Sequence, residues 1–404
     1  MAVRPVVAEA RFGERLGVAQ ALIAERGIRA LLVGVGADLR YLTGYAAMPL
    51  ERLTMLVLPA AGDPVIVSPR LEAMNAEGCA AARSGHVEVV AWDETDDPHA
   101  LVGSLLAARG GPMAGPVAAP ASVAAPASVA GHDRVLVSDR LWAMHVLALQ
   151  QALPGAAFGL GSEVIRDLRM TKDPEEIELL RLAAHAADRV VAQIAAGRLV
   201  GRTEHEVSAE VRDRLIAEGH DLAEFAIVAS GPNSASPHHE ADRRVIRAGE
   251  PIVLDIGGAL DGYCSDTTRT IWVTGGDGGP GPTPEFRQLF DVLREAQSAA
   301  TAAVRPGVAC QEIDAVARRV ITDGGHGPAF IHRVGHGIGL ESHEDPYLVS
   351  GNHELLRAGM AFSVEPGIYL AGRYGARIED IVVCGPDGPD ALNESSRDLW
   401  VVAG

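Results

Sequence analysis

The sequence predicts two domains, an α/β domain followed by a larger, pseudo-symmetric α+β domain. Three observations lead to this reading. The 404 residues exceed what one hydrophobic core usually serves, the residue patterning changes at about Asp173, and one helical segment recurs later in the chain. A hydrophobic content of 48% supplies apolar side chains for substantial cores.

The N-terminal part alternates helix-like and strand-like stretches. "GERLGVAQALIAERG" is amphipathic, "IRALLVGV" follows as a strand, and "TMLVLPAAGDPVIVSP" reads as two strands about a turn at Gly62-Asp63-Pro64. The segment Ala114 to Gly131 repeats AAPASV and offers no large side chains to bury, so it is expected to be a flexible surface insertion. In "TKDPEEIELLRLAAHAADRVVAQIAAG", Asp173 suits an N-cap, Pro174 the first helical position and Gly197 the stop. Between them Ile177, Leu180, Ala184, Ala187, Val191 and Ile194 form one face. A second helix opens on the Thr203 to Glu206 capping box. Its sequence, Glu206 to His220, is echoed by Glu312 to His326 at a constant offset of 106. Each copy precedes a His-bearing loop and a strand pair with two acids, which predicts two halves facing one site.

Charge and cysteine usage exclude several classes of function. Thirty-five Lys and Arg against 53 Asp and Glu give a formal charge of -18, which opposes binding to nucleic acid or anionic lipid. Cys79, Cys264, Cys310 and Cys384 form no C-x-x-C pair and are expected as reduced core thiols. With neither a signal-like N-terminus nor a membrane-length apolar run, a cytoplasmic protein is expected.

The chemistry is concentrated in acids on apolar strands. Asp255 and Asp266 stand eleven residues apart in "VLDIGGALDGYCSDTTRT", and a turn at "ALDG", with a bulge adjusting their facing, would let them converge. Glu365 and Glu379, fourteen apart about "LAGRYG", repeat the device. Buried carboxylates repel and lose hydration, so cations must neutralise them. The intervening "HRVGHGIGLESHEDP" supplies His332, His336 and His343. One imidazole with four carboxylates makes five ligands, and two divalent ions balance the four negative charges. Such a set suits Mn(II), Co(II), Fe(II) or Zn(II) rather than a thiolate site or structural zinc.

These residues, in this order, resemble the pita-bread metallopeptidases, which include prolidase, aminopeptidase P and methionine aminopeptidase. The likeness covers nearly the whole chain. It implies a creatinase-like N-terminal domain over 1–161, carrying "ADLRYLTGY", and a pita-bread catalytic domain over 162–404. It further implies two divalent ions, Mn(II) first, with Asp255 on one, His336 and Glu365 on the other, and Asp266 and Glu379 bridging. His238, in "SGPNSASPHHE", matches the position near the scissile nitrogen, His343 the position on the substrate carbonyl, and His332 a contact to proline. Tyr369 and Arg377 match an active-site pair in aminopeptidase P, while His239 matches no assigned position. As a terminal ligand Glu365 is also the expected proton shuttle. The implied activity is hydrolysis of small peptides with proline second by a homodimer, an Xaa-Pro dipeptidase first and an Xaa-Pro aminopeptidase as the alternative. A creatinase-like C–N hydrolase fits less well because creatinase lacks the ligands that stand here, and a non-catalytic binding module predicts a broken ligand set. A dipeptidase must also bind a free carboxylate, for which "VSGNHELLRAGM" offers His353 and Arg357.

Overall fold

The computed structural model describes residues 6–109 and 133–404, so the Ala/Pro segment 114–131 lies outside the described residues. The chain divides into two compact units, Val7–Arg169 and Met170–Gly404. The expected boundary before Ser162 therefore moves to the far end of the helix Ser162–Met170. Polar contacts explain the shift: Glu163 pairs with Arg134, the Leu168 carbonyl accepts from Tyr41, and Arg169 pairs with Asp38 at 2.7 Å. All three partners belong to the first unit.

In that unit a six-stranded mixed sheet runs in the order Glu88–Trp92, Val65–Pro69, Met55–Pro59, Ala30–Gly34, Asp133–Val137, Ala156–Leu160. The hairpin expected about Gly62 forms between Met55–Pro59 and Val65–Pro69. The amphipathic stretch becomes the helix Glu9–Glu25 and buries Phe12, Leu16, Ala19 and Ile23.

The second unit repeats one pattern twice. Helices Pro174–Ala196 and Glu204–Ala217 pack on a four-stranded sheet, with Val191, Ile194, Val207, Val211, Leu254 and Ile271 in their shared core. Helices Pro284–Ala303 and Cys310–Asp323 pack on a five-stranded sheet through Phe286, Leu293, Ile313, Phe362 and Val382. Glu204–Ala217 and Cys310–Asp323 begin and end at the same offset of 106. Even the bridges before them correspond, Thr203 with Val245 and Ala309 with Leu355. The sequence echo is thus a structural repeat.

Capping fixes where these helices start. Asp173 accepts from Glu176 N at 3.1 Å while Glu176 accepts from Asp173 N at 3.0 Å, and Thr203 and Glu206 do the same. Leu180, Ala184, Ala187, Val191 and Ile194 are buried as their spacing requires, and Gly197 ends the helix. All four cysteines are buried, and none is in a disulfide. Among the described residues no helix is long and apolar enough to cross a membrane.

Replacing Asp173 by Ala removes one half of a reciprocal cap, so Asp173→Ala should lower stability by about 1 kcal/mol while Asp173→Asn retains most of it. Urea unfolding followed by circular dichroism checks this, and an unchanged midpoint in the Ala variant would contradict it.

Candidate metal centre

Turn length places Asp255 and Asp266 together. Leu260 pairs with Tyr263, leaving Asp261 and Gly262 in the turn with φ of 49° and 82°, as two-residue hairpins favour. Across such a turn partners lie an odd number apart. Asp255 therefore faces Thr268, and Asp266 faces Gly257. Opposed and alternate residues share a face, so all four lie on one side, away from Leu254 and Ile256 in the helix-facing core. The bulge expected between these strands is not there: their register is unbroken, and the irregularity falls in the neighbouring strand between Ala223 and Phe225. A Cβ at Gly257 would come within 2.4 Å of the Ser265 carbonyl oxygen as well as 2.3 Å of the Phe225 ring, so the position opposite Asp266 requires glycine unless the backbone shifts.

The second acidic pair uses a three-residue turn. Val364 pairs with Asp380 and Gly367 with Arg377. Glu365 and Glu379 flank the gap between those ladders, and the common register carried through it sets them opposite one another. Leu370 pairs with Tyr374, so the turn is 371–373 and the separation of the acids is even. A bridge between Thr268 and Glu379 joins the two hairpins, with Thr268 Oγ1 donating to Glu379 Oε2 at 2.6 Å.

His336 enters from the short strand Gly335–Gly337. Its Nδ1 donates to the Gly337 carbonyl at 3.1 Å, which points Nε2 at the acids, 3.3 Å from Glu365 Oε1 and 3.6 Å from Asp266 Oδ2. Possible ligand atoms of Asp255, Asp266 and Glu379 lie within 4.8 Å of one another, as do those of His336, Glu365 and Glu379 and those of Asp266, His336 and His343. The five expected donors form overlapping groups.

Arg377 ties the set together. Its Nε donates to Thr268 Oγ1 at 3.1 Å, Nη1 to Tyr369 Oη at 2.8 Å and to the Pro237 carbonyl at 3.2 Å, and Nη2 to Asp255 Oδ2. Tyr369 in turn meets His332 Nε2 at 2.9 Å, and His332 Nδ1 donates to the Arg333 carbonyl at 2.7 Å.

Electrostatics set the charge states without a metal. Burial first, then repulsion from Asp255 and Glu365, raises Asp266 well above its ordinary value; burial, Asp266 and Glu365 do the same to Glu379. Asp255 is raised by burial although Arg377 opposes the shift. Glu365 goes the other way, to about 2: burial raises it, but hydrogen bonding and attraction from His336 prevail. His343 falls to about 4 through burial and the nearby His336 and Arg333.

This donor set fits divalent cations. Asp255 Oδ1 is buried with no hydrogen-bond partner among the described residues, His336 aims its Nε2 at the same acids, and three carboxyl groups are disfavoured as anions for want of positive charge. The donors floor a cavity of about 860 Å³ whose walls include His238, His332, His343 and Arg377. Tyr369 sits behind this wall, and His353 and Arg357 do not line the cavity. Sequence reasoning missed Arg333, which lines it and donates from Nη2 to His343 Nδ1 at 3.3 Å. It missed Thr268 too, although period-two alternation from Asp266 points there.

Two family models match the chain. Residues 178–386 match the model of metallopeptidase family M24, and residues 15–171 match the creatinase/prolidase N-terminal domain. The chain belongs to metallopeptidase family M24. Its M24 relatives include a probable dipeptidase PepE of Mycobacterium tuberculosis, 44% identical over 97% of this chain and 96% of that protein. An Xaa-Pro dipeptidase of Lactobacillus helveticus is 34% identical over 90% of this chain and 92% of its own. The crystal structure of dipeptidase PepE from Mycobacterium ulcerans superposes with a TM-score of 0.86 at 42% identity, covering 98% of this chain and 99% of that one. This M24 metallopeptidase accordingly has the pita-bread architecture in its second unit, preceded by a creatinase-type domain.

Because Asp266 and Glu379 hold protons more firmly than free carboxylic acids do, divalent metal added to metal-free protein should release protons, the more so as pH falls toward acid. Titration calorimetry in buffers of different ionisation enthalpy reads the number released. A binding enthalpy independent of the buffer would show that the carboxyls are already ionised.

Proposed function

We propose that the protein is an Xaa-Pro dipeptidase that hydrolyses the bond between an N-terminal residue and a C-terminal proline. The observation that carries this reading is the pair of overlapping donor groups sharing Glu379 on the floor of a cavity whose wall includes the cation Arg333. Asp255 would hold one divalent ion, His336 and Glu365 the other, and Asp266 and Glu379 both. Bound there, the ions supply a water made acidic at neutral pH and positive charge for the carbonyl oxygen. Mn(II) is the ion placed first, since carboxylate oxygens with one imidazole suit it. Four buried cysteines outside any disulfide favour a reducing compartment, the cytoplasm.

The chain's own residues move and hold the protons. Glu365 accepts one from the attacking water and passes it on. His238 delivers one to the proline nitrogen as the bond breaks. Because Arg333 donates to His343 Nδ1, a neutral His343 carries its proton on Nε2, where it can donate to the substrate carbonyl. Both nitrogens of His332 are already engaged, so it would touch proline with its ring rather than by a hydrogen bond. Arg333, stacked 4.4 Å from the Tyr347 ring centroid, is the cation suited to a free terminal carboxylate. Recognition of that carboxylate separates a dipeptidase from an aminopeptidase acting on longer peptides.

Metal-free protein reloaded with single divalent ions and offered Xaa-Pro, Xaa-Pro-Pro and Met-Ala-Xaa should cleave the first best, as read by mass spectrometry. Preferential cleavage of the tripeptides would overturn the dipeptidase reading. Asp266→Ala should reduce turnover to background with its circular dichroism intact, and metal-independent activity would sink the mechanism. Arg333→Met should raise KM for Xaa-Pro by on the order of tenfold, the worth of one charge-assisted contact, a rise in KM that the corresponding Xaa-Pro amide does not share, while loss of the bond to His343 lowers kcat for both.

A further inference from the structure

The loop that carries His238 is gripped from its far side by a buried carboxylate. Glu204 is fully buried in the first turn of the helix Glu204–Ala217. Its Oε1 accepts from Ser230 N at 2.7 Å and Ser230 Oγ at 2.6 Å, and its Oε2 faces Asn233 Nδ2 at 3.0 Å and His239 Nε2 at 2.8 Å. A carboxylate only accepts, so His239 carries its proton on Nε2. The 3.1 Å approach of Asn233 Nδ2 to the same nitrogen is then a contact and not a hydrogen bond. Arg244, paired with Glu250 at 2.6 Å, donates to Ser230 Oγ at 2.5 Å and completes the set.

This cluster touches neither the five donors nor the cavity, yet it is well placed to govern one cavity residue. His238 is exposed, lines the cavity and makes no side-chain hydrogen bond among the described residues. Its position therefore depends on its neighbours. On one side the Pro237 carbonyl accepts from Arg377 Nη1, and on the other His239 is tied to Glu204. Ser234 Oγ, accepting from Gly375 N at 2.8 Å, pins the start of the loop to the second acidic hairpin. Glu204, His239 and Asp242 also lie close enough together to suggest a metal site. An ion there would have to displace the His239 proton and the Asn233 amide, which already satisfy Glu204, so the hydrogen-bonded arrangement is the better reading.

The geometry points to Glu204 and His239 as positioning residues that hold His238 at the scissile nitrogen. The inference rests on the part proposed above for His238. Without the tether one end of the loop loses its anchor, and an ångström of drift at a proton donor is enough to slow a reaction by roughly a hundredfold.

A double-mutant cycle on the metal-loaded full chain tests this, with Xaa-Pro as substrate. His239→Ala should lower kcat by roughly 10- to 100-fold with KM unmoved, the direction expected of His238→Ala. In the His238→Ala background it should do nothing further. His239→Gln, whose amide can still donate to Glu204, should recover most of the loss. Hydrogen exchange of a peptide spanning 231–241 should quicken in His239→Ala and Glu204→Gln but not in His238→Ala. An unchanged kcat in His238→Ala would overturn the inference at the level of the proposed reaction. An additive loss in the double variant, or unchanged exchange, would overturn the positioning role itself.

Discussion

The second unit depends on keeping four carboxylates within a few ångströms of one another in a buried site. Two like charges at 4 Å with an effective dielectric constant of 20 repel by about 4 kcal/mol, against a net folding stability of about 5–15 kcal/mol. Several uncompensated pairs would therefore unfold the unit. Without metal the chain answers in two ways. His336 and Arg377 supply positive charge on opposite sides of the cluster, beside Glu365 and Asp255 respectively. Asp266 and Glu379 instead retain protons, because burial and their neighbours make the anions costly. A pair of divalent ions relieves the same strain without protonation, so affinity for metal and the shape of the site have one physical cause.

Support for the cluster comes from the opposite face of the same strands. Arg269 and Asp380 follow Thr268 and Glu379 in sequence and so point the other way, where they form a buried ion pair at 2.7 Å. Arg269 Nη1 also donates to the Glu379 carbonyl at 2.6 Å, and Gln297 and Arg397 donate to the other oxygen of Asp380. One arginine thus holds the main chain at Glu379, while Arg377, on the site side, holds Thr268 and Asp255. A buried pair of this kind costs desolvation and adds little net stability, but losing one partner leaves a stranded charge. Its effect here is to fix where the hairpins cross. A second buried pair, Lys172 with Glu344, ties the segment before the helix Pro174–Ala196 to the strand that follows His343.

The donor residues were legible in the sequence because acids on strands otherwise suited to burial are rare and demand an explanation. Asp255, Asp266, Glu365 and Glu379 stood out in that way, and the internal repeat was visible as a fixed offset. How Asp255 and Asp266 share a face was not read correctly: a bulge was invoked, whereas the two-residue turn at Asp261-Gly262 makes an odd separation sufficient. The domain boundary was displaced because the helix Ser162–Met170 looks like any other amphipathic segment, and its allegiance is decided by distant partners such as Asp38 and Arg134. Arg333 escaped for a similar reason. An arginine in a Gly-rich loop has no periodicity to betray it, and only the fold shows that it borders the cavity. His239 carried no signal beyond its neighbour, since its partner Glu204 lies 35 residues earlier in the chain.

Hydrogen-bond direction adds a constraint that neither charge nor distance conveys. From Arg377 every proton in the chain of contacts can be assigned: guanidinium to Tyr369 oxygen, Tyr369 hydroxyl to His332 Nε2, His332 Nδ1 to the Arg333 carbonyl. Guanidinium cannot accept and a carbonyl cannot donate, so the relay has a single polarity. A protonated His332 would set two donors face to face at Tyr369 and break it. Burial lowers the pKa of His332 and pushes that of Tyr369 up to about 12, so both stay neutral where the relay needs them neutral. The relay joins Asp255, at the cluster, to the backbone of Arg333, at the cavity wall. The geometry offered to substrate is in this way fixed by the same arginine that balances the buried acids.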